Sequence, residues 1–164
     1  MEITTELVKQ LRDRTGISVM QCKKALEEVG GDMDKAAALL AERSAGEALK
    51  KGERALNAGF ISTYIHATGT IGTMVELRCE TDFVAKNDEF KSLARDIAMH
   101  VTANNPKFLK ADDAGASEAP ESVLLNQPFI KNPEVTIINL VQSAVQKFGE
   151  NIEISRFVRY SVSQ

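Results

Sequence analysis

The chain has 164 residues, with 20 Lys+Arg against 23 Asp+Glu and a net charge of −3. That length can bury a core in one domain or in a small module plus a larger one, and the charge lacks the basic excess of a protein that grips phosphate backbones. Hydrophobic residues at 43% and charged residues at 26% exclude disorder along the whole length.

Helical periodicity comes first. Ile3, Leu7 and Leu11 recur at helical spacing, Thr4 reads as an N-cap, and Ile3 with Val8 forms a hydrophobic staple around it. Thr15-Gly16 breaks that helix, because Gly accepts the left-handed conformation just past a helix end. Ser18-Val19-Met20-Gln21 matches a capping box, and Val19, Cys22, Leu26 and Val29 continue along one face until Gly30-Gly31. Asp32 caps a third helix with Met33, Ala36, Ala37 and Leu40 pointing inward. Residues 1–45 thus predict a three-helix bundle whose apolar faces pack on each other. Residues 46–59, with Glu47, Lys50, Lys51, Glu53 and Arg54 among Gly46, Gly52 and Gly59, read as a hydrophilic, partly helical linker.

The period then changes from 3.6 to 2. Phe60 to His66 is rich in β-branched and aromatic residues, Thr68-Gly69-Thr70 reads as a turn, and Thr73 to Cys79 alternates. Val75, Leu77 and Cys79 are expected on one side of this hairpin, with Met74, Glu76 and Arg78 on the other. Asn87 caps a helix carrying Phe90, Leu93, Ala94, Ile97, Ala98 and Val101 on one face, stopped by Asn104-Asn105-Pro106. Residues 107–121, with four acids and no base after Lys110, read as a loop or mobile excursion. Thr136 to Phe148 predicts a further helix, with Ile137, Leu140, Val141, Ala144, Val145 and Phe148 on its face and Gly149 after its end. The closing strand is expected to place Ile152, Ile154, Val158, Tyr160 and Val162 on one face, interrupted only by Arg156. The fold class is α+β, with residues 60–164 forming a three-stranded antiparallel sheet packed with helices on one face. A small sheet with two open edges and one bare face suggests a homodimer.

The search for catalytic chemistry returns little. His66 ends the first strand and His100 falls on the polar side of the long helix, so both are expected at the surface. No HExxH, CxxC, GxSxG, GxGxxG or Walker pattern occurs. Gly69-x-x-Gly72 lies between two strands and is a turn. Cys79, followed by Glu80 and Asp82, has the outline of a thiol nucleophile, but its alternating partners Val75 and Leu77 are apolar and a buried strand cysteine is expected. Cys22, beside Lys23 and Lys24, also falls on an apolar face. Two cysteines without paired spacing point to reduced thiols in a cytoplasmic protein. Met1 to Leu11 holds no signal-like apolar run, and no stretch reaches the roughly 20 apolar residues that span a bilayer. No enzyme activity, metal, cofactor, membrane or nucleic-acid contact is expected.

Two segments are distinctive. Thr15-Gly16-Ile17-Ser18-Val19-Met20-Gln21-Cys22-Lys23-Lys24-Ala25-Leu26, followed by Gly31-Asp32, resembles the ubiquitin-associated-like (UBA-like) N-terminal bundle of the elongation factor Ts family. Thr81-Asp82-Phe83-Val84-Ala85-Lys86-Asn87 resembles that family's signature loop, and Leu125-x-Gln127-Pro128-Phe129-Ile130, Gly149-Glu150-Asn151-Ile152 and Arg156-Phe157-Val158 are similar to the ending of its short members. These matches run in family order over nearly the whole chain. The resemblance implies a guanine nucleotide exchange factor that binds GDP-loaded elongation factor Tu, disturbs its phosphate and Mg²⁺ site, and releases GDP. It further implies that Thr81, Asp82, Phe83 and Val84 form the loop that dislodges Mg²⁺, with Phe83 as the wedge. Arg12, Val19, Met20 and Lys23 match the face that docks on the same nucleotide domain. Each has a plainer reading: Phe83 as a staple between hairpin and helix, Lys23-Lys24 as a solvated face, Arg12 as a complement to its helix dipole. An adaptor built on the bundle alone would explain residues 1–45 and leave the Thr81 to Asn87 loop without a purpose. The chain lacks the second sheet unit and helical hairpin of longer members, so a second subunit is a natural substitute.

Overall fold

The computed structural model describes residues 2–115 and 118–163. Three helices open it: α1 (Thr5–Thr15), α2 (Val19–Glu28) and α3 (Met33–Lys51). The side chains of Thr4, Ser18 and Asp32 accept hydrogen bonds from the backbone N–H of Leu7, Gln21 and Lys35, which satisfies donors that a first helical turn leaves free. Gln21 does not close the capping box at Ser18. Its side chain turns away and accepts a hydrogen bond from Gln146 Nε2 at 3.1 Å.

Leu11, Ile17, Cys22, Ala25, Leu26, Ala36 and Leu40 seal a small core between these helices. Val19 departs from its expected face and is 54% exposed. As the first residue of α2 it stands at the rim, while Ile17 fills the interior place just before the helix begins.

The stretch read as a linker begins inside α3, which runs through Gly46 to Lys51. Glu47 draws in both Lys51, at 2.8 Å, and Lys50, at 3.8 Å, and such spacings support a helix. The buried hydroxyl of Ser44 donates to Gln146. One flank of α3 therefore closes the bundle while another packs on the second half of the chain.

That half contains β1 (Ala58–Ile65), β2 (Ile71–Cys79), the single turn α4 (Asp82–Ala85), α5 (Asp88–Asn104), a short hairpin of β3 (Pro128–Phe129) and β4 (Asn132–Thr136), α6 (Ile137–Phe148) and β5 (Glu153–Ser161). The main sheet is antiparallel in the order β1-β2-β5. Val75, Leu77 and Cys79 face inward as expected and meet Phe90, Ala94, Ile97, Ala98 and Val101 of α5 in the larger core. Ile137, Val141, Ala144 and Val145 of α6 complete it, and α3 lies against α6. The architecture is α+β, with helices on one face of a three-stranded sheet.

Two further expectations are corrected. The apolar residues of the closing strand do not share one face. Leu77 pairs with Ile154 and the adjacent Glu76 pairs with Arg156, so Ser155 is an extra residue in β5, a β-bulge. The alternation slips by one there, and a slip of one exchanges the faces. Ile152 and Ile154 are buried, Phe157 packs toward the core, and Val158, Tyr160 and Val162 turn outward to solvent. His100 is not at the surface either: it is wholly buried, because the β3 hairpin and the segment before it close over that side of α5. Its Nε2 lies 2.9 Å from Gln127 Oε1, and its Nδ1 accepts from the Ile130 backbone N–H at 3.1 Å.

The excursion over 107–121 is tied at its base. The N–H groups of Lys107 and Phe108 donate to the Ser122 carbonyl at 2.8 and 3.1 Å, and Leu124 N–H donates to the Phe108 carbonyl at 2.8 Å. Residues 116 and 117 lie outside the described residues.

Candidate functional site

The turn between β2 and α5 carries the most exposed aromatic ring of the described residues. Thr81 caps α4 by accepting the Val84 N–H at 3.4 Å, and Asn87 caps α5 by accepting the Glu89 N–H at 2.8 Å. Between the two caps, Val84 and Ala85 are buried in the larger core. Phe83 is 86% exposed. A staple between hairpin and helix would bury that ring, so the geometry rejects the staple. Leaving a Phe in water forgoes on the order of 2–3 kcal/mol of burial, and an isolated ring on an anchored turn fits a protein contact. Asp82 and Lys86 flank it at the surface. Thr81 and Asp82 are open to a partner, whereas Val84 is an anchor whose side chain faces its own core.

The base of this turn is clamped from a distant segment. The Glu150 carboxylate accepts the backbone N–H of Glu80 at 3.1 Å, the N–H of Thr81 at 3.0 Å and the Thr81 hydroxyl at 2.6 Å. The Glu80 carboxylate accepts the Asn151 N–H at 2.7 Å and pairs with Arg54 at 3.5 Å. Asn151 Nδ2 donates in turn to the carbonyls of Arg54 and Gly52, at 3.0 and 3.5 Å, just beyond the end of α3. Periodicity gives no hint of Glu150. Its sequence signals are a Gly helix stop followed by an acid and its place in the Gly149-Glu150-Asn151-Ile152 segment that carries part of the family resemblance.

Cys79 lies directly under the turn, buried, with its Sγ donating to the Thr81 carbonyl at 3.3 Å. Burial pushes its thiol pKa up and the nearby Glu150 charge adds to the rise, so the thiolate that nucleophilic chemistry needs is disfavoured. Burial likewise raises Cys22, against an opposing hydrogen bond from Thr15. Among the described residues, no group of three or more His, Cys, Asp or Glu is gathered to hold a metal ion. No helix among them is long and apolar enough to cross a membrane.

The other expected face is the start of α2. Met20 is 80% exposed next to Val19. Arg12, at the end of α1, and Lys23 are at the surface, the latter 3.9 Å from Glu27. Apolar and cationic groups are thus offered together, a mixture that suits an interface and costs the free protein little.

A third surface was only partly legible from sequence. The bare face of the sheet exposes Ile61, Ile65, Met74, Val158 and Tyr160, bordered by the Arg156–Glu76 ion pair at 3.3 Å. It became continuous only because the bulge at Ser155 turned the end of β5 outward.

The family model described as Elongation factor TS matches residues 2–119. The chain is 42% identical to elongation factor Ts of Carboxydothermus hydrogenoformans, over 99% of this chain and 90% of that protein. It is 40% identical to elongation factor Ts of Heliobacterium modesticaldum, over 99% and 91% respectively. For elongation factor Ts of Thermodesulfovibrio yellowstonii the identity is 41%, over 100% and 98%. The aligned stretches are longer than this chain, so these relatives carry internal residues that it lacks.

Proposed function

This chain belongs to the elongation factor Ts family, and on that premise we propose that it is a guanine nucleotide exchange factor for elongation factor Tu, working in the cytoplasm during translation elongation without catalysing a reaction of its own. The observation that carries the reading is Phe83, 86% exposed on a turn that the buried Val84 and Ala85 anchor to the larger core. In this mechanism the ring enters between helices of the GTPase's nucleotide domain, and Thr81 and Asp82 follow it toward the Mg²⁺ site. A phosphate loop holds nucleotide through oriented backbone N–H groups, and Mg²⁺ demands near-ideal octahedral geometry. A small shift of the helix behind them therefore weakens GDP strongly. Burial of the ring, on the order of 2–3 kcal/mol, helps drive that shift. Coupling is reciprocal, so nucleotide must weaken the factor to the same extent, and GTP binding dissolves the complex.

Arg12, Val19, Met20 and Lys23 form the second docking site, on the bundle. Val84 contributes as the anchor of the turn and not as a contact. A second copy of the chain covers the bare sheet face in a homodimer, which the exposed Ile61, Ile65, Met74, Val158 and Tyr160 support.

Release of a fluorescent GDP analogue from elongation factor Tu tests the mechanism. The wild-type protein is expected to accelerate release strongly, and Phe83→Ala to lower the stimulated rate by about 10- to 100-fold. Equal rates would sink the wedge.

A further inference from the structure

We propose that Glu150 is a positioning residue for exchange, holding the Thr81 to Val84 turn so that Phe83 is presented in one orientation. The proposal rests on the exchange reading above and adds a residue to it. Strand pairing ends just before the turn: β1 pairs with β2 as far as Cys79, and β5 pairs with it as far as Arg78. The N–H groups of Glu80 and Thr81 therefore have no ladder partner, and a polar group left unpaired beside a core is costly. Gly149 ends α6 in the left-handed region, at φ 71°, a turn few side chains tolerate. The chain reverses there and delivers the Glu150 carboxylate to both orphan donors and to the Thr81 hydroxyl.

The third bond carries the consequence. By donating its proton to Glu150 at 2.6 Å, Thr81 keeps its oxygen lone pair free to cap α4 at the Val84 N–H. The clamp and the cap are thus one device. It is reciprocal, because the Glu80 carboxylate accepts the Asn151 N–H, and Asn151 fastens the same segment to the carbonyls beyond α3. The turn bearing Phe83 is referenced to α6 and to α3, the helix shared with the bundle. Charge-assisted bonds of this kind are short and directional, and a wedge works only if its ring arrives already placed.

A double-mutant cycle in the GDP-release assay tests this, using Glu150→Ala, Glu150→Gln, Phe83→Ala and the double variants. Gln keeps an oxygen for the two N–H groups and loses the acceptor for the Thr81 hydroxyl. Expected is a roughly tenfold fall in the maximal release rate for Glu150→Ala, with the half-saturating concentration little changed, and a smaller fall for Glu150→Gln. On a Phe83→Ala background neither change should lower the rate further, since the ring being positioned is gone. Full activity of Glu150→Ala, or losses that add to that of Phe83→Ala, would overturn the proposal. If Glu150→Ala does not fold by circular dichroism, the Glu150→Gln cycle decides by the same criterion. A Phe83→Ala protein that exchanges normally would instead bring down the exchange mechanism, and this proposal with it.

Discussion

His100 has its Nε2 beside the Gln127 side-chain oxygen, and its Nδ1 accepts the Ile130 backbone N–H. That pattern requires the neutral ring with its proton on Nε2. Burial pushes its pKa below the ordinary 6.5, against a smaller upward pull from the Gln127 bond. The unfolded chain takes up a proton as the pH falls through about 6.5, whereas the folded chain resists it. The His100 contribution is therefore complete above that pH and lost below it, down to the depressed folded value, with a slope of at most about 1.4 kcal/mol per pH unit. Denaturant unfolding at pH 7.5 and 5.5 should show wild type losing more stability than His100→Gln over that interval. An equal loss would place a charged or exposed imidazole there. The cysteines give a second test at this scale. Cys22 and Cys79 are buried with raised thiol pKa values, so a thiol reagent should modify them at the rate of unfolding or local opening. Rapid native labelling of Cys79 would revive the nucleophile reading.

The bulge in β5 makes a prediction about deletion. With Ser155 removed, Ile154 and Arg156 become neighbours and still oppose Leu77 and Glu76, the pairs they already make. Strict alternation then holds, with Ile154 and Phe157 inward and Arg156, Val158 and Tyr160 outward. The deletion is expected to leave a cooperatively melting protein with Tm within about 4 °C of wild type, on the order of 1 kcal/mol. Removing Phe157 instead slides Val158 and Tyr160 toward the core and exchanges every later face, so it should abolish the sharp melt. Similar melts for both would mean that register is not set by the buried face. At the end of α6, Gly149 with φ 71° should cost about 1 kcal/mol when replaced by Ala, lowering Tm by about 2–4 °C.

At the scale of the molecule, two apolar cores share one long helix. Leu40 belongs to the bundle core, Ala48 packs on the larger one, and Ser44 between them bonds to Gln146. Gln146 also reaches Gln21, and Arg14 joins Asp34 at 2.8 Å and Glu134 at 3.4 Å. The proposed contacts at Met20 and Phe83 thus sit on parts linked by α3. The bare sheet face is the third surface. In sedimentation at micromolar concentration the wild-type chain is expected to run as a dimer and Val158→Glu as a folded monomer that still melts cooperatively, at a Tm lowered only by the lost association, because Val158 is already outside the core. A wild-type monomer with full exchange activity would remove the dimer.

Wherever the information was local, it could be read from the chain. Thr4, Ser18, Asp32 and Asn87 cap helices because a side-chain oxygen reaches an amide two or three residues on, and Val75, Leu77 and Cys79 face inward because strand periodicity is two. The Thr81 to Asn87 motif likewise located the turn, between a strand that ends and a helix that is capped. What the chain could not reveal depended on partners far along it. The burial of His100 needed Gln127 and the β3 hairpin to close over α5, the outward set of Val158 and Tyr160 needed the slip at Ser155, and the helical part of the expected linker continues α3 to Lys51 with Ala48 packed on the larger core. Phe83 carried the same residue type whether sealed or exposed. Only the packing of Val84 and Ala85 beneath it and the Glu150 clamp beside it decided that the ring faces water, since periodicity records which side a residue takes and not what arrives to cover it.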